Sequence, residues 1–581
     1  MKRSSDIDSI RHSLAHLLAA AVVNHWPAVK LGIGPVIENG FYYDFLFEKP
    51  PTENELSSLE EMMKEFIQKK LPFTGREVTV KEALKIFANQ PFKKELVKEF
   101  SKEDTQLTIY KTGDIFEDLC RGGHVENTSE INPDAFKLTH LAGAYWRGDE
   151  KNPQLTRIYG LAFGTEKELT EHLAMLEEAK KRDHKVLGPQ LDLFTFSPLV
   201  GAGLPLWTPK GTMVRDLLDG FVWELRKARG YERVDIPHIT KKDLYETSGH
   251  WDKFKDELFR MKTREGHEFA MKPMNCPHHT QLYARKQWSY RELPQRYANT
   301  TMCYRDEQTG ELAGLSRTRA FAQDDAHVFC RMNQAKEEFL KVWDIVHEFY
   351  KAFGFKLRVR LSIHDPAHPE KYLGDKKNWA KAEHILREIV EEKKIEWFEG
   401  LGEAAFYGPK LDFMAKDALG REWQVATIQL DMNMPERFDL TCINEQGEKE
   451  RIVMIHAAIM GSIERFLSIL IEHTAGKFPA WLSPVQARVL SISEKFESYA
   501  KQVVDELKED GVRVELAPSD ESLGKRIRTA ELDKIPYVLV VGEREMQSKS
   551  VAVRHYIHGD LKTIPLNECL EKIGNESKNR G

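Results

Sequence analysis

Apolar residues recur along the chain in two rhythms, a helical one of three to four residues and a strand-like one of two, and their succession divides it into blocks. From residue 1 to about 163, helical patterns such as PTENELSSLEEMMKEFIQKK mix with short β-like runs, GFYYDFLF and TQLTIY, ending in YWRG and RIYGLAF. This predicts one α+β unit, residues 1–163. The next stretch, TEKELTEHLAMLEEAKKRDHKVLG, is rich in charge with leucines and methionine at helical spacing, and Gly188-Pro189 is expected to stop it. Residues 164–188 therefore read as a rigid linker helix. From 189 to 479 a helix, MVRDLLDGFVWELRKARG, carries the apolar stripe Val214, Leu217, Leu218, Phe221 and Leu225, with Gly230 suited to the C′ position. Strands are expected at YERVDIPHI, TTMCYRDE, RTRAFAQDDAHVF, KLRVRLSI, KLDFMAK and EWQVATIQLDM; with few βαβ repeats among them, the pattern predicts a largely antiparallel sheet with flanking helices. After FPAWLSP strands and helices alternate (ARVLSIS, SEKFESYAKQVVDELKEDG, VRVELAP, a short helix from Glu521, YVLVVG, SVAVRHY), giving a small parallel or mixed α/β domain, residues 480–581.

Composition changes this picture little. The 581 residues, 41% apolar and 30% charged, suffice for several cores. A net charge of -6 gives no global attraction to a polyanion, so any nucleic acid must be met by local basic and aromatic patches. The six cysteines (120, 276, 303, 330, 442 and 569) form no dense framework, which suits a reducing compartment and the cytoplasm, and makes a special cysteine a ligand or catalyst rather than half a disulfide. The start has basic residues before an apolar run, but Asp6, Asp8, Arg11, His12 and His16 interrupt it and SLAHLLAAAVV is too short to span a bilayer. An amphipathic helix that stays, and no membrane partner, is the expectation.

The motifs differ in weight. LGIGPVIENG lacks the G-x-G-x-x-G spacing and reads as a turn, and MQSKS at 546–550 is a chance-level match to a nucleotide-binding signature. RHSLAHLLAA places His12 and His16 one helical turn apart on one face, where a pair can hold a metal ion, a water or a substrate. Cys276 in MKPMNCPHH, His327 in FAQDDAHVF and His456 in VMIHAAIMGSIERF are far apart in sequence and, taken singly, are ordinary buried groups.

Their contexts carry more. KGTMVRDLLDGFVWELRKARG with Pro237 in the following strand, MCYRDEQTGELAGLSRTRAF and GSIERFLSIL resemble motifs 1, 2 and 3 of the class II aminoacyl-tRNA synthetases, and KPMNCP, QDDAH and FYGPKLDF resemble, within that class, the threonine-specific family of bacterial type. The resemblance runs over essentially the whole chain from its first dozen residues. It implies an α+β multidomain fold: an α+β editing domain, a class II catalytic core on an antiparallel sheet, and a C-terminal α/β anticodon-binding domain. Most bacterial relatives carry a ubiquitin-like domain ahead of the editing domain, which is expected to be lacking here.

The resemblance also implies chemistry: ATP-dependent ligation of L-threonine to tRNA(Thr) through an adenylate, with Mg²⁺ accompanying ATP. Arg305 would hold the α-phosphate and Arg465 the γ-phosphate, a task for which a guanidinium fork is better shaped than an ammonium. Glu307 would seat the adenine edge, and Gln424 and Gln429 would contact nucleotide or amino acid. Cys276, His327 and His456 match the family's ligands for one Zn²⁺ per chain, three donors leaving a position open to substrate. An apolar pocket separates threonine from the near-isosteric valine by only about a hundredfold. A metal that accepts the amino group and the hydroxyl rejects valine outright. Asp325 would receive the hydroxyl's hydrogen bond, and Met274, Gln323 and Tyr407 would line the pocket.

Serine offers the same two groups, and one methyl is worth only about 1–3 kcal/mol. In the family a separate site hydrolyses mischarged seryl-tRNA(Thr), with the signature HxxxH and CxxxH, here His12, His16, Cys120 and His124; Tyr43, Lys94 and Asp118 fall at further matching positions, with Lys93 adjacent in FKKELV. By spacing alone three histidines and a cysteine could equally form a tetrahedral metal site; the family's reading is metal-free, the side chains positioning a water. Glu545 and Arg554 match residues that read anticodon bases. Asp520 stands where the family often has an amide, which leaves its role open. Motif 1 implies a homodimer. An RNA-binding regulator on the same scaffold would be expected to have lost arginines or ligands that are all present, and a serine or proline enzyme would lack the Cys276, His327, His456 set.

Overall fold

The computed structural model describes residues 3–103 and 106–580 and forms two compact units, Met1–Glu177 and Glu178–Gly581. No helix among the described residues is long and apolar enough to cross a membrane.

The first unit is built around the helix Arg3–His25. Ser13 to Val22 are buried without interruption, so the helix is enclosed on all sides here rather than amphipathic as its polar start suggested. The run LAHLLAAAVV has no polar face wide enough to leave in water, and helices apolar all round are buried. Against it lies an antiparallel sheet in which Gly40–Leu46 pairs with Gln154–Ala162, and that strand with Phe136–Tyr145. A second sheet of Phe73–Glu77, Thr108–Thr112 and Phe116–Leu119 is also antiparallel.

The predicted linker helix is two helices, Glu166–Arg182 and His184–Gln190. The break falls at Asp183, whose backbone leaves the helical region (φ -51°, ψ 120°) and whose carboxylate accepts the Lys185 N–H as an N-cap. Gly188-Pro189, expected to end the first helix, lies in the last turn of the second. Gly188 is there because a Cβ would sit 2.1 Å from the Phe194 ring.

The second unit contains an eight-stranded sheet in the order Glu232–Arg233, Gln295–Tyr304, Ala320–Cys330, Val453–Ala458, Glu422–Asp431, Lys410–Lys416, Leu357–Ile363, Trp397–Leu401. Every pairing is antiparallel except the outermost at each edge, which are parallel. The helix Pro209–Lys227, N-capped by Thr208, buries Val214, Leu218, Phe221, Val222 and Leu225, while Gly230 adopts φ +77° past its end. It packs with the helices Ala335–Lys351 and Ile463–Thr474 on one sheet face, joined there by Ala322, Ala326 and Val328. Side chains alternate along a strand, so Phe321, Gln323, Asp325 and His327 project from the opposite face. The helix Cys276–Ala284 follows a small three-stranded sheet, Ile239–Lys241, Glu268–Met271 and Arg260–Lys262.

The C-terminal part of this unit is a mixed five-stranded sheet, Val514–Ala517, Ala487–Ser491, Tyr537–Val541, Ser550–His555, Gly559–Pro565, parallel at its first two pairings and antiparallel at the last two. The last strand and the closing helix Leu566–Asn579 went unforeseen, because GDLKTIP is mostly polar and exposed and offers no alternation.

Candidate functional site

Strand register assembles the principal site. His327 lies directly opposite His456 on the neighbouring strand, and His456 opposite Gln429 on the next; on the other side Asp325 faces Asn299 and Gln323 faces Thr301. A β-bulge opposite Met414 inserts Val425, so that Gln424 and Gln429, five residues apart, line the same cavity despite their opposite parity.

That cavity, about 550 Å³, is walled by Arg305, Glu307, Arg317, Phe321, Gln323, Gln424, Gln429 and Arg465. Arg305 stands between the rings of Phe254 and Phe321, and its buried Nε has no hydrogen-bond partner among the described residues. Arg465, exposed, sits at the first turn of the helix Ile463–Thr474, whose N-cap Ser462 accepts its N–H. An orphaned buried guanidinium nitrogen beside a second cation at a helix N-terminus suits a polyanion. Glu307, buried, is engaged by Arg317 at 2.7 Å. Gln424 is tied to Asp412, Thr427 and Arg360, whereas Gln429 spends only its oxygen, on the Tyr407 hydroxyl.

Beside the cavity, Cys276, His327 and His456 bring donor atoms within 4.8 Å of one another, all buried. Cys276 opens its helix immediately after Asn275, and Met274 packs in the same cluster. His456 donates from Nε2 to Asp431 at 3.0 Å, which leaves Nδ1 bare. His327 Nδ1 lies 2.7 Å from His279 Nδ1; with the proton on His327, its Nε2 is bare and 3.1 Å from His456 Nδ1. Two bare imidazole nitrogens this close together beside a thiol form a donor set fit for a divalent cation such as Zn²⁺. Burial lowers the pKa of His327 and His279 and raises that of Cys276. Tyr407 stacks on His456, and Asp325 accepts from the Asn275 amide at 3.1 Å. Asp431, His279 and Asn275 escaped the sequence reading; His279 could have been found as the residue one turn on from Cys276.

A second site lies in the first unit. His12, His16, Cys120 and His124 converge within 4.8 Å, with Cys120 Sγ 3.2 Å from His124 Nε2 and 3.5 Å from His12 Nε2. Burial drives all three imidazoles down, His124 to about 2, and raises the Cys120 thiol to about 11. Among the described residues no carboxylate orients any of these rings, and His16 Nδ1 is buried without a partner. The adjoining cavity, about 250 Å³, is lined by His12, His16 and Cys120 together with Tyr43, Lys93 and Asp118. Tyr43 donates to one oxygen of Asp118 at 2.5 Å and the Lys93 ammonium meets the other at 2.6 Å, all three buried.

Lys94 is a correction. The helix Pro91–Phe100 buries Phe92, Lys93 and Val97, and the next residue is rotated by about 100° away from that face. Lys93, not Lys94, enters the cavity.

Of the remaining sequence-derived residues, Arg554 is exposed on the strand Ser550–His555, and Glu545 accepts from the Gly542 N–H at the start of its own helix.

Residues 259–474 match the family described as tRNA synthetase class II core domain (G, H, P, S and T), residues 486–576 the anticodon binding domain, and residues 107–159 the threonyl and alanyl tRNA synthetase second additional domain. The chain is 48% identical over 576 residues to a threonine–tRNA ligase of Porphyromonas gingivalis, covering 97% of this chain and 87% of that protein. It is 49% identical over 586 residues to one of Thermus thermophilus, covering 98% and 88%. A solved structure described as the RNA binding domain of threonyl-tRNA synthetase from Cryptosporidium parvum Iowa II superposes with a TM-score of 0.64 at 38% identity, over 68% of this chain and 98% of that one.

Proposed function

The chain belongs to the threonine–tRNA ligases, class II aminoacyl-tRNA synthetases with an editing domain, and we propose that its two pockets divide synthesis and proofreading between them. The enzyme joins L-threonine to tRNA(Thr) at the expense of ATP and hydrolyses the mischarged seryl product. The observation that carries this reading is the polar cavity with its unpaired Arg305, lying against the Cys276, His327, His456 cluster.

In the synthetic site, Arg305 clamps the α-phosphate and Arg465 the γ-phosphate, with Mg²⁺ accompanying ATP. Glu307, fixed by Arg317, receives the adenine amino group. Little covalent chemistry is asked of the protein; alignment of the threonine carboxylate with phosphorus and neutralisation of charge lower the barrier. Cys276, His327 and His456 would hold one Zn²⁺, which when bound would supply Lewis acidity toward the amino group and hydroxyl of threonine. Asp325, kept in place by Asn275, accepts the hydroxyl's hydrogen bond, and Gln323, Tyr407 and Met274 bound the side-chain space. Gln429 has a free amide nitrogen for the substrate, and Gln424 braces the wall.

In the editing pocket, His12, His16, Cys120 and His124 hold a water with neutral rings, and Lys93 with Asp118 and Tyr43 polarises the ester. The carbonyl oxygen faces the Lys93 ammonium, which Asp118 holds in place. Discrimination in this pocket rests on rejecting the extra methyl of threonine. We read these four side chains as positioning a water rather than a metal ion.

We assign residues 1–163 to editing, 189–479 to catalysis and 480–581 to anticodon binding, where Arg554 and Glu545 read bases, and we place the enzyme in the cytoplasm as a homodimer. Charging of a tRNA(Thr) transcript with labelled threonine, and release of serine from seryl-tRNA(Thr), test the proposal; a chain that does neither would refute it.

A further inference from the structure

His184 accepts the backbone N–H of Leu315 at Nε2, 3.0 Å away, and donates from Nδ1 to Glu472 at 2.6 Å. The facing N–H fixes the tautomer, with Nε2 bare and the proton on Nδ1. Glu472 is held from its other oxygen by Arg421 at 2.6 Å, and Arg421 in turn by Asp417. His184 and Leu315 are buried, at 3% and 1% exposure. Asp183, His184 and Glu472 could by spacing surround a cation, but both imidazole nitrogens are already spent.

Leu315 begins the stretch whose next two residues, Ser316 and Arg317, line the ATP cavity. Arg317 is the partner of Glu307, and Ser316 bonds Ser468. The preceding Gly314 has φ +56°, and a Cβ there would lie 2.3 Å from His184 Nε2, so the turn reaches the imidazole only because this residue is glycine. Without His184 the Leu315 N–H would be a buried donor with no acceptor.

We infer that His184 is a positioning residue for nucleotide binding: through the Leu315 N–H it holds the 314–317 turn, and so Arg317 and Glu307, in register with ATP. This rests on the cavity being the ATP site.

Two substitutions separate positioning from packing. His184→Asn keeps a donor where Nδ1 stands and so serves Glu472, but cannot reach Leu315. His184→Gln puts an oxygen near the place of Nε2, serving Leu315 and giving up Glu472. The measurement is the Kd for Mg-ATP by calorimetry and the KM for ATP in threonine-dependent pyrophosphate exchange, on the full zinc-loaded chain, with melting temperatures alongside. The Asn variant should raise both constants about tenfold, the effect of orphaning one buried donor, while Gln stays within about twofold of wild type whatever its melting temperature. Gly314→Ala, which changes neither His184 nor Glu472 but drives the turn and the imidazole apart, should behave as Asn does and decides the matter if Asn fails to fold. Equal weakening by Asn and Gln, or an unchanged ATP affinity in Gly314→Ala, would overturn the inference. Wild-type chain that binds Mg-ATP without threonine-dependent exchange would count against the proposed reaction, and the Kd series would still judge His184.

Discussion

His327 and His456 stand directly opposite one another on neighbouring antiparallel strands, with Nε2 of the first 3.1 Å from Nδ1 of the second. Each ring is held from behind, His456 by Asp431 and His327 by His279. Asp431 has no slack for another role, because its second oxygen accepts the N–H groups of Asn433 and Met434. Asp431→Asn can keep those two bonds only by turning its amide nitrogen toward His456, which forces the proton onto Nδ1. Zinc affinity should fall about 10- to 100-fold, read by competition with a chelating dye. An unchanged affinity would mean that the His456 tautomer is not set by Asp431.

Lys93 and Lys94 are neighbours on one helix with different fates. Lys93→Ala should slow hydrolysis of seryl-tRNA(Thr) by about 100-fold or more and leave threonine activation untouched, while Lys94→Ala should stay near wild type. Removing Lys93 also strips a buried carboxylate of its cation, so the first unit should lose about 3–5 kcal/mol of stability. Lys93→Arg separates the two effects, restoring charge without the geometry. Slowed editing in the Lys94 variant alone would reverse the assignment.

Much of this site could be read from the amino-acid sequence because the chemistry-bearing residues sit in regular strands. Phe321, Gln323, Asp325 and His327 share a face by alternation, and their spacing is written in FAQDDAHVF. What pairing supplies was hidden: nothing in the sequence states that His456 would lie opposite His327, or that a bulge would bring Gln424 beside Gln429. Family resemblance stood in for that information. It failed by one residue at Lys94, where a doublet left the helix face undetermined, and the linker prediction failed because Asp183 is a stronger signal for a new N-terminus than Gly188-Pro189 is for an end. His184 carried no motif at all; its partners Leu315 and Glu472 are more than a hundred residues away.

Acid should loosen the first unit. His12, His16 and His124 are depressed by burial, His124 to about 2, so below the ordinary histidine pKa of 6.5 the unfolded chain takes up protons that the folded one refuses. This stabilisation is fully present above pH 6.5 and is lost as pH falls; by pH 5.5 His124 alone removes about 1.4 kcal/mol. Hydrogen exchange along Arg3–His25 in the whole chain, corrected for intrinsic rates, should be faster at pH 5.5 than at 7.5. Equal or greater protection at pH 5.5 would contradict the burial argument.

Arg305→Lys keeps the charge and loses the fork. Since Arg305 offers an unpaired Nε to the cavity, kcat for adenylate formation should fall about 100-fold, with threonine affinity little changed. A loss confined to the KM for threonine would place Arg305 at the amino acid instead of the phosphate.

The central claim is that this chain activates threonine by recognising its amino group and hydroxyl together at the Cys276, His327, His456 site. Its most direct test is amino-acid-dependent ATP–pyrophosphate exchange by the zinc-loaded enzyme and by a Cys276→Ser variant, each given threonine, serine and valine. Robust exchange with threonine, weaker exchange with serine, none with valine, and loss of all of it in Cys276→Ser is the predicted result. Exchange supported by valine, or threonine-dependent exchange that survives in Cys276→Ser, would contradict it.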